Sequence, residues 1–337
     1  MYVPCFIYPW LRTIFEYGFT RKAHIHIEEN GFIRLTIPSV NMLWKPGQHC
    51  FLRFTSFGLQ AFSSHPFTIC SLPSVQPQEK SELVFYIRYS HGLTRKLYDY
   101  AQKHPNAAVS VLIDGPYGGI NMQRFNEADR LLVVAGGSGA GWILSFLELF
   151  CRQYSAVNIA DGALNRSKIE DEETQLHRHS QPRSLRIVLA TRDISSRVWF
   201  LGAVTKLLAK HSLSLGSAVE VEVHLTGEAE RDIGVSGQVD TEIISSSSSD
   251  NIEVETKGNR IVTTPSKELL GRPDLPLVVR REGGAATEES RSLAVYVCGP
   301  TAMQHDVRKA VAEENLRILS GSKSGDVYLH SEHFSWA

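Results

Sequence analysis

The five cysteines, Cys5, Cys50, Cys70, Cys151 and Cys298, include no CxxC pair. Scattered thiols of odd number build neither a disulfide framework nor a zinc site, and they fit a reducing compartment. No metal-ligand pattern is expected. Charge is equally uncommitted: 35 Lys and Arg stand against 36 Asp and Glu, for a net charge of -1. No overall field draws the chain to nucleic acid, and no nucleic-acid partner is expected. A continuous apolar span is missing too. The first nineteen residues, MYVPCFIYPWLRTIFEYGF, are aromatic but broken by Pro4, Pro9, Arg12 and Glu16. They lack the basic start and small-residue cleavage site of a signal peptide. The stretch LLVVAGGSGAGWILSFLELF from Leu131 has the length of a span but carries four glycines in its middle. A strand, a glycine turn and a buried helix account for it better. No internal repeat is visible.

What is present suffices for two ordinary domains: 337 residues, 42% of them hydrophobic. From Arg21 to about Gly119 the pattern is strand-like. HIHIEENGFIRLTI alternates on either side of Glu29-Asn30-Gly31, a hairpin signal. CFLRFT, FTICSL, ELVFYIRYS and VSVLI read as further strands, interrupted by one helix, LTRKLYDYAQ. Several short strands with turn signals predict an antiparallel barrel or sandwich over residues 20–120. From Arg130 the period changes. LLVVAGG leads into a helix, LRIVLATR is a buried strand, a helical stretch follows from Arg197 to Lys210, and VEVHLTG, LAVYVCGP and DVYLHS complete an alternating order. This predicts a doubly wound parallel α/β domain over 128–337. Residues 155–183 and 228–290 are polar with little periodicity and read as disordered or looped inserts.

The chemistry concentrates in short runs. Gly136, Gly137 and Gly139 follow a strand and precede a helix, where glycine lets the backbone approach a phosphate and the helix N-terminus offers amides to it; tight packing is the plain alternative. The next strand ends Thr191-Arg192, and an arginine there favours NADPH, whereas a carboxylate would favour NAD. Asp193 follows it, so a solvated ion pair is the alternative. Cys298, Gly299 and Pro300 end a fourth strand at the carboxyl edge, and the sharp turn is expected to expose Cys298 at the crevice in a positioning role. Arg88, on a strand just before Gly92 and Thr94 open a helix, makes a good anion site; a surface arginine and a routine Thr N-cap are the alternative. HPFTIC from His65 puts a proline inside a strand, where it removes a ladder donor, so this run belongs at a strand start or an edge.

HPFTICSLP, FYIRYSHGLTRKL, IDGPYGG, AGGSGAG, VYVCGPTAM and the terminal SEHFSW occur in this order. The ordered set resembles the flavin and nicotinamide half of the fungal ferric-chelate reductase family, related to NADPH oxidases and, more distantly, to ferredoxin-NADP reductases. The resemblance covers about residues 20–337 outside the two inserts. It implies FAD on the barrel and NADPH on the α/β domain. His65, Pro66, Phe67 and Thr68 would line the flavin, Thr68 near its reactive nitrogen and Phe67 packed on the cofactor. Arg88, Gly92 and Thr94 would hold the FAD pyrophosphate. Gly136, Gly137 and Gly139 would take the phosphates of NADPH, and Cys298, Gly299 and Pro300 its nicotinamide end. Phe334, with Trp336 as rival, would place a ring over the flavin. Ala140-Gly141 depart from the β-branched residue and hydroxyl that relatives often carry there.

The family precedes this half with a membrane bundle whose paired histidines hold haem. Haem is therefore expected only in a membrane portion outside this chain. His24, His26, His177 and His179 lack helical context and read as solvated. The implied activity is electron transfer from NADPH through FAD to a haem or a ferric chelate. The alternatives are an NADPH oxidase-like module reducing oxygen and a truncated paralogue that binds without turnover. Residues 1–19 would dock on a bilayer or a haem-bearing partner. The cytoplasmic face of a membrane, the plasma membrane by resemblance, is the expected location, with the cytosol as alternative.

Overall fold

The computed structural model describes residues 8, 11, 20–38, 42–58, 62–75, 80–167, 183–211, 218–227, 251–252, 264–288, 292–321 and 325–332. The chain divides into two compact units, one ending at Ile120 and the next beginning at Asn121.

The first unit is a six-stranded antiparallel sheet in the order β4-β3-β6-β1-β2-β5. Its strands are β1 (Arg21–Ile27), β2 (Ile33–Ile37), β3 (Gln48–Phe54), β4 (His65–Thr68), β5 (Leu83–Ile87) and β6 (Ala108–Gly118). Alternation writes the core directly. Ala23 and Ile25 of β1, Ile33, Leu35 and Ile37 of β2, and Leu83, Phe85 and Ile87 of β5 are all buried, while His24 and His26 face out. The β1–β2 turn forms at the expected place: Gly31 takes φ +79 and its amide donates to the Glu28 carbonyl at 2.8 Å. Past β4 the chain joins both edges, because the Ile69 amide donates to Gln48 and the Cys70 amide to Val84, at 2.9 and 2.8 Å. That closes the sheet into a barrel. Helix α1 (Gly92–Lys103) plugs it with Leu93, Leu97 and Ala101.

The second unit opens with α2 (Met122–Glu127), capped by the Asn121 carboxamide oxygen, which accepts from the Gln123 and Arg124 amides. Its sheet runs β10-β11-β9-β8-β7-β12-β13. The strands are β7 (Arg130–Gly136), β8 (Ser184–Thr191), β9 (Val219–Leu225), β10 (Asn251–Ile252), β11 (Thr264–Leu270), β12 (Ser292–Cys298) and β13 (Asp326–Glu332). All neighbours pair in parallel except β10, which runs antiparallel to β11. Helices α3 (Ala140–Ser167) and α4 (Ile194–Lys210) contact β7, β8 and β9. Helices α5 (Leu275–Glu288) and α6 (Thr301–Leu319) share a core with Leu132, Val134, Val188, Val295 and Val297. The sheet is doubly wound.

Two expectations about the inserts need correction. Helix α3 continues to Ser167, well inside 155–183, where no proline stops it. The region 228–290 contains β11 and α5, both integral to the sheet and its cover, so the turn at Gly299–Pro300 ends the fifth parallel strand and not the fourth. Residues 168–182 and 228–250 lie outside the described residues, with His177 and His179 among them.

Between the sheet and α5 sits a buried ion cluster. Arg186 of β8, 6% exposed, donates through Nη1 to Glu282 Oε1 at 2.8 Å and through Nη2 to Glu222 Oε1 at 2.6 Å. Arg130 Nη2 reaches the other oxygen of Glu282 at 2.8 Å, and Lys267 Nζ reaches Glu220 at 2.5 Å. Burial alone would lower the Arg186 pKa, but Glu222, Glu220 and Glu282 outweigh it and hold it above its ordinary value.

Candidate functional site

In the barrel unit, β4 holds the HPFT run. Pro66 sits opposite Phe51 and Thr68 opposite His49. Among the described residues β4 is an edge strand that pairs only with β3, the place where a proline is tolerated. The rings of His49, Phe51 and Tyr117 lie 5.5–6.1 Å apart and extend this face into an aromatic surface. Phe67 is on the other face, opposite Cys50, with its ring edge-on to Phe54 at 6.3 Å. It is half-buried and braced by the barrel core. His65 Nε2 lies 3.0 Å from Ser63 Oγ, and burial pushes its pKa down, favouring the neutral ring.

Arg88 is exposed just beyond β5, three residues before the His91 N-cap of α1. That N-cap makes no side-chain capping bond, and the first turn of α1 carries no acidic residue. Gly92 takes φ +60, and a Cβ there would meet nothing within 4 Å. Exposed guanidinium, open backbone and an acid-free helix start are the donor chemistry of a phosphate site. Thr94 behaves differently from expectation. It is not the N-cap, and its hydroxyl proton is committed to the His91 carbonyl at 3.1 Å while its oxygen accepts from the Ser90 amide at 3.0 Å. The Thr94 hydroxyl therefore shapes the turn, and what Thr94 can offer a pyrophosphate is its first-turn main-chain amide.

In the second unit, β7 ends at Gly136, a 3-10 turn covers Gly137–Gly139, and α3 begins at Ala140, again with no acidic residue in its first turn. Gly137 adopts φ +55. The flanking glycines are required by space. A Cβ on Gly136 would sit 2.9 Å from Pro300 Cδ, and one on Gly299 would sit 2.7 Å from Met303 Sδ and 3.2 Å from the Gly136 nitrogen. The glycine turn and the Gly299–Pro300 turn thus press on each other at the carboxyl edge of adjacent strands β7 and β12. Cys298 is completely buried, with Gly139 stacked against it, which corrects the expected exposure: the sharp turn folds over the thiol. The three other thiols among the described residues are shielded as well. Burial pushes Cys50, Cys70 and Cys151 up to about 12.

Arg192 is exposed directly after β8. Its main chain is pinned from below: the Thr226 amide donates to the Thr191 carbonyl at 2.7 Å, and a Cβ on Gly227 would lie 2.4 Å from the Arg192 carbonyl oxygen. Arg192 forms no ion pair among the described residues, with Asp193 or otherwise. Next to this edge, His224 of β9 is 7% exposed, and neither ring nitrogen makes a hydrogen bond of good geometry among the described residues. Burial lowers its pKa, with Glu222 and the nearby Gly271 main chain opposing. Sequence reading missed His224 and also Gln304, whose partners lie 5 and 28 residues away. Phe334, Trp336 and residues 1–19 other than Tyr8 and Leu11 lie outside the described residues. Among the described residues no helix is long and apolar enough to cross a membrane.

The family model described as "Ferric reductase NAD binding domain" matches residues 128–312, and one described as "FAD-binding domain" matches 18–121. Ferric reductase transmembrane component 6 of Saccharomyces cerevisiae is 26% identical over 313 residues, 90% of this chain and 37% of that protein. Ferric/cupric reductase transmembrane component 7 of the same organism is 31% identical over 128 residues, 38% of this chain and 19% of that protein. The chain thus spans well under half the length of these relatives. Among solved structures, ferredoxin-NADP+ reductase from Plasmodium falciparum with 2'P-AMP aligns at TM-score 0.50 and 10% identity, covering 93% of this chain and 96% of that one. Amycolatopsis cytochrome P450 reductase GcoB aligns at TM-score 0.50 and 14% identity, covering 94% and 70%. At these identities the structures share the fold. The match over residues 128–312 exceeds half the chain, and the protein belongs to the ferric reductase NAD binding domain family, joined to an FAD-binding domain in the make-up of a flavin-dependent oxidoreductase.

Proposed function

We propose that this chain is the dehydrogenase half of a ferric-chelate reductase, taking electrons from NADPH through FAD to a haem or a ferric chelate. The observation that carries the reading is a pair of helix starts, one per unit, each reached through a glycine with positive φ: Gly92 as the first residue of α1, and Gly137 in the 3-10 turn that leads into α3. Arg88 and the start of α1 would hold the FAD pyrophosphate, with Thr68 of β4 on the flavin; Phe67, expected to pack on the cofactor, turns to the barrel core and braces the strand from behind. Gly136, Gly137 and Gly139 would cradle the phosphates of NADPH. Arg192 would pair with its 2'-phosphate, and the Cys298–Pro300 turn would shape the nicotinamide end. When bound, FAD accepts a two-electron hydride and releases electrons singly, so each NADPH oxidised to NADP+ and a proton reduces two ferric ions to ferrous. The protein's own part is to bind, orient and shield. Relatives named as transmembrane components support a working place at a membrane, and the proposal sets the chain on its cytoplasmic face with a haem-bearing segment as partner.

The test uses the purified chain loaded with FAD. NADPH should reduce the flavin and support reduction of ferricyanide, with NADH a poorer donor. Arg192→Ala should raise the KM for NADPH roughly tenfold, the size of one lost charge-assisted contact, and leave NADH nearly unchanged. Equal losses with both coenzymes would remove Arg192 from coenzyme choice. Oxygen uptake that accounts for all NADPH consumed, with ferric acceptors present, would make the chain an oxidase module. Failure to take up FAD would make it a non-catalytic paralogue.

A further inference from the structure

Gln304, in the first turn of α6, is 2% exposed. Its Nε2 donates to the Gly299 carbonyl at 2.8 Å and to the Glu332 carbonyl at 3.0 Å. Its Oε1 accepts from Arg308 Nη2 and from Ser331 Oγ, each at 3.2 Å. A carboxamide offers two donor hydrogens and two acceptor positions, so this contact set uses both polar ends of the group. No carboxylate, hydroxyl or apolar side chain of similar size reproduces it. Ser331 and Glu332 are the last residues of β13, and Gly299 directly follows β12. One buried side chain therefore ties the carboxyl ends of two parallel strands to the start of the next helix, at the edge where ligands bind in such sheets. The Gly299 it holds is the residue pressed against Gly136 of the glycine turn. Arg192 lies beyond β8, on the far side of β7 from β12.

We propose that Gln304 is a positioning residue for hydride transfer from NADPH: it fixes the Gly299–Pro300 turn, and with it the nicotinamide end of the site, without touching the dinucleotide. The assignment rests on the functional reading above. In the step concerned the nicotinamide C–H bond breaks, NADPH becomes NADP+, and FAD takes the hydride with one solvent proton. Misplacing the turn slows that step, while the adenosine end, held at the β8 edge, binds as before.

Gln304→Glu is the sharp test, because it keeps the shape and replaces two donors by a carboxylate facing two carbonyls. In the FAD-loaded full chain, the rate at which NADPH reduces the flavin should fall at least roughly tenfold near pH 8, as small misplacements of reacting groups do. Affinity for adenosine 2',5'-bisphosphate, which carries no nicotinamide, should stay within about twofold of the parent on the same grounds. Ser331→Ala, which removes one acceptor-side contact and is gentler on folding, should give a smaller loss in the same direction. Unchanged rates in both variants would overturn the assignment. So would a loss of bisphosphate affinity equal to the loss of rate, since that marks a merely loosened fold. A parent chain whose flavin NADPH leaves oxidised would overturn the functional reading itself, and this assignment with it.

Discussion

The two proposed phosphate cradles are built on opposite principles. At the start of α1 the glycine is needed for conformation: Gly92 sits at φ +60 with open space where a Cβ would go. At the carboxyl edge of the second unit Gly136 and Gly299 are needed for volume, because neighbouring atoms lie within 2.7–3.2 Å of any added Cβ. One site is open and depends on the exposed charge of Arg88. The other is close-packed and depends on two turns fitting together. A glycine-rich motif therefore says where backbone matters, and only packing says whether freedom or room is being used.

The largest effect expected from this contrast is at the packed cradle. Gly299→Ala should force the Met303 side chain and the Gly136 backbone apart, costing about 1–3 kcal/mol of stability or more, as overpacking does. Thermal unfolding should show the loss together with weakened NADPH binding, while FAD content stays normal. A variant as stable as the parent would mean that the turns part freely. Next comes Arg88→Ala. Removing one charge-assisted phosphate contact, worth about 1.5–3 kcal/mol, should lower FAD affinity tenfold or more and leave NADPH binding unaltered. Unchanged flavin content after gel filtration would sink the barrel assignment. The smallest effect should come from Gly92→Ala. It adds only backbone strain of about 1–2 kcal/mol, with no clash, so FAD binding should persist at slightly reduced stability. A loss of FAD as large as that in the Arg88 variant would show that space above Gly92 matters after all.

Much of this was readable from the chain because the informative signals are local. The period-two pattern of β1, β2 and β5, the Asn30-Gly31 turn and the strand-glycine-helix run at 130–140 depend on neighbours a few residues apart. What stayed hidden depends on distant partners. Helix α5 carries Gly283-Gly284 in its interior and Glu282 on its inner face, which breaks an apolar reading. The structure explains both: a Cβ on Gly283 would lie 3.2 Å from Glu314 Cγ, and Glu282 is the partner of Arg130 and Arg186. Strand β11 shows too few apolar residues in TPSKELL because Lys267 and Glu268 are paired, with Glu220 and Arg197. Thr94 read as a cap because its hydroxyl does bond at the helix start, but it reaches back from inside the first turn. Gln304 gave no signal, since its purpose appears only once β13 lies alongside β12.

The ion cluster around Arg186 also acts as a ratchet against misalignment. Glu220 and Glu222 lie on one side of β9, matched to Arg186 and Val188 on β8. Sliding β9 by a single residue would turn both carboxylates to the opposite side of the sheet, leaving a buried guanidinium short of its counterions, an error costing several kcal/mol. The valines of β9, Val219, Val221 and Val223, all lie on the other side, so the same slip would bring them to the side where the charges belong. The correct alignment is also the one in which Thr226 meets Thr191 at the far end, some five residues from the charges. Charges at one end of the strands thereby decide where Arg192 emerges at the other.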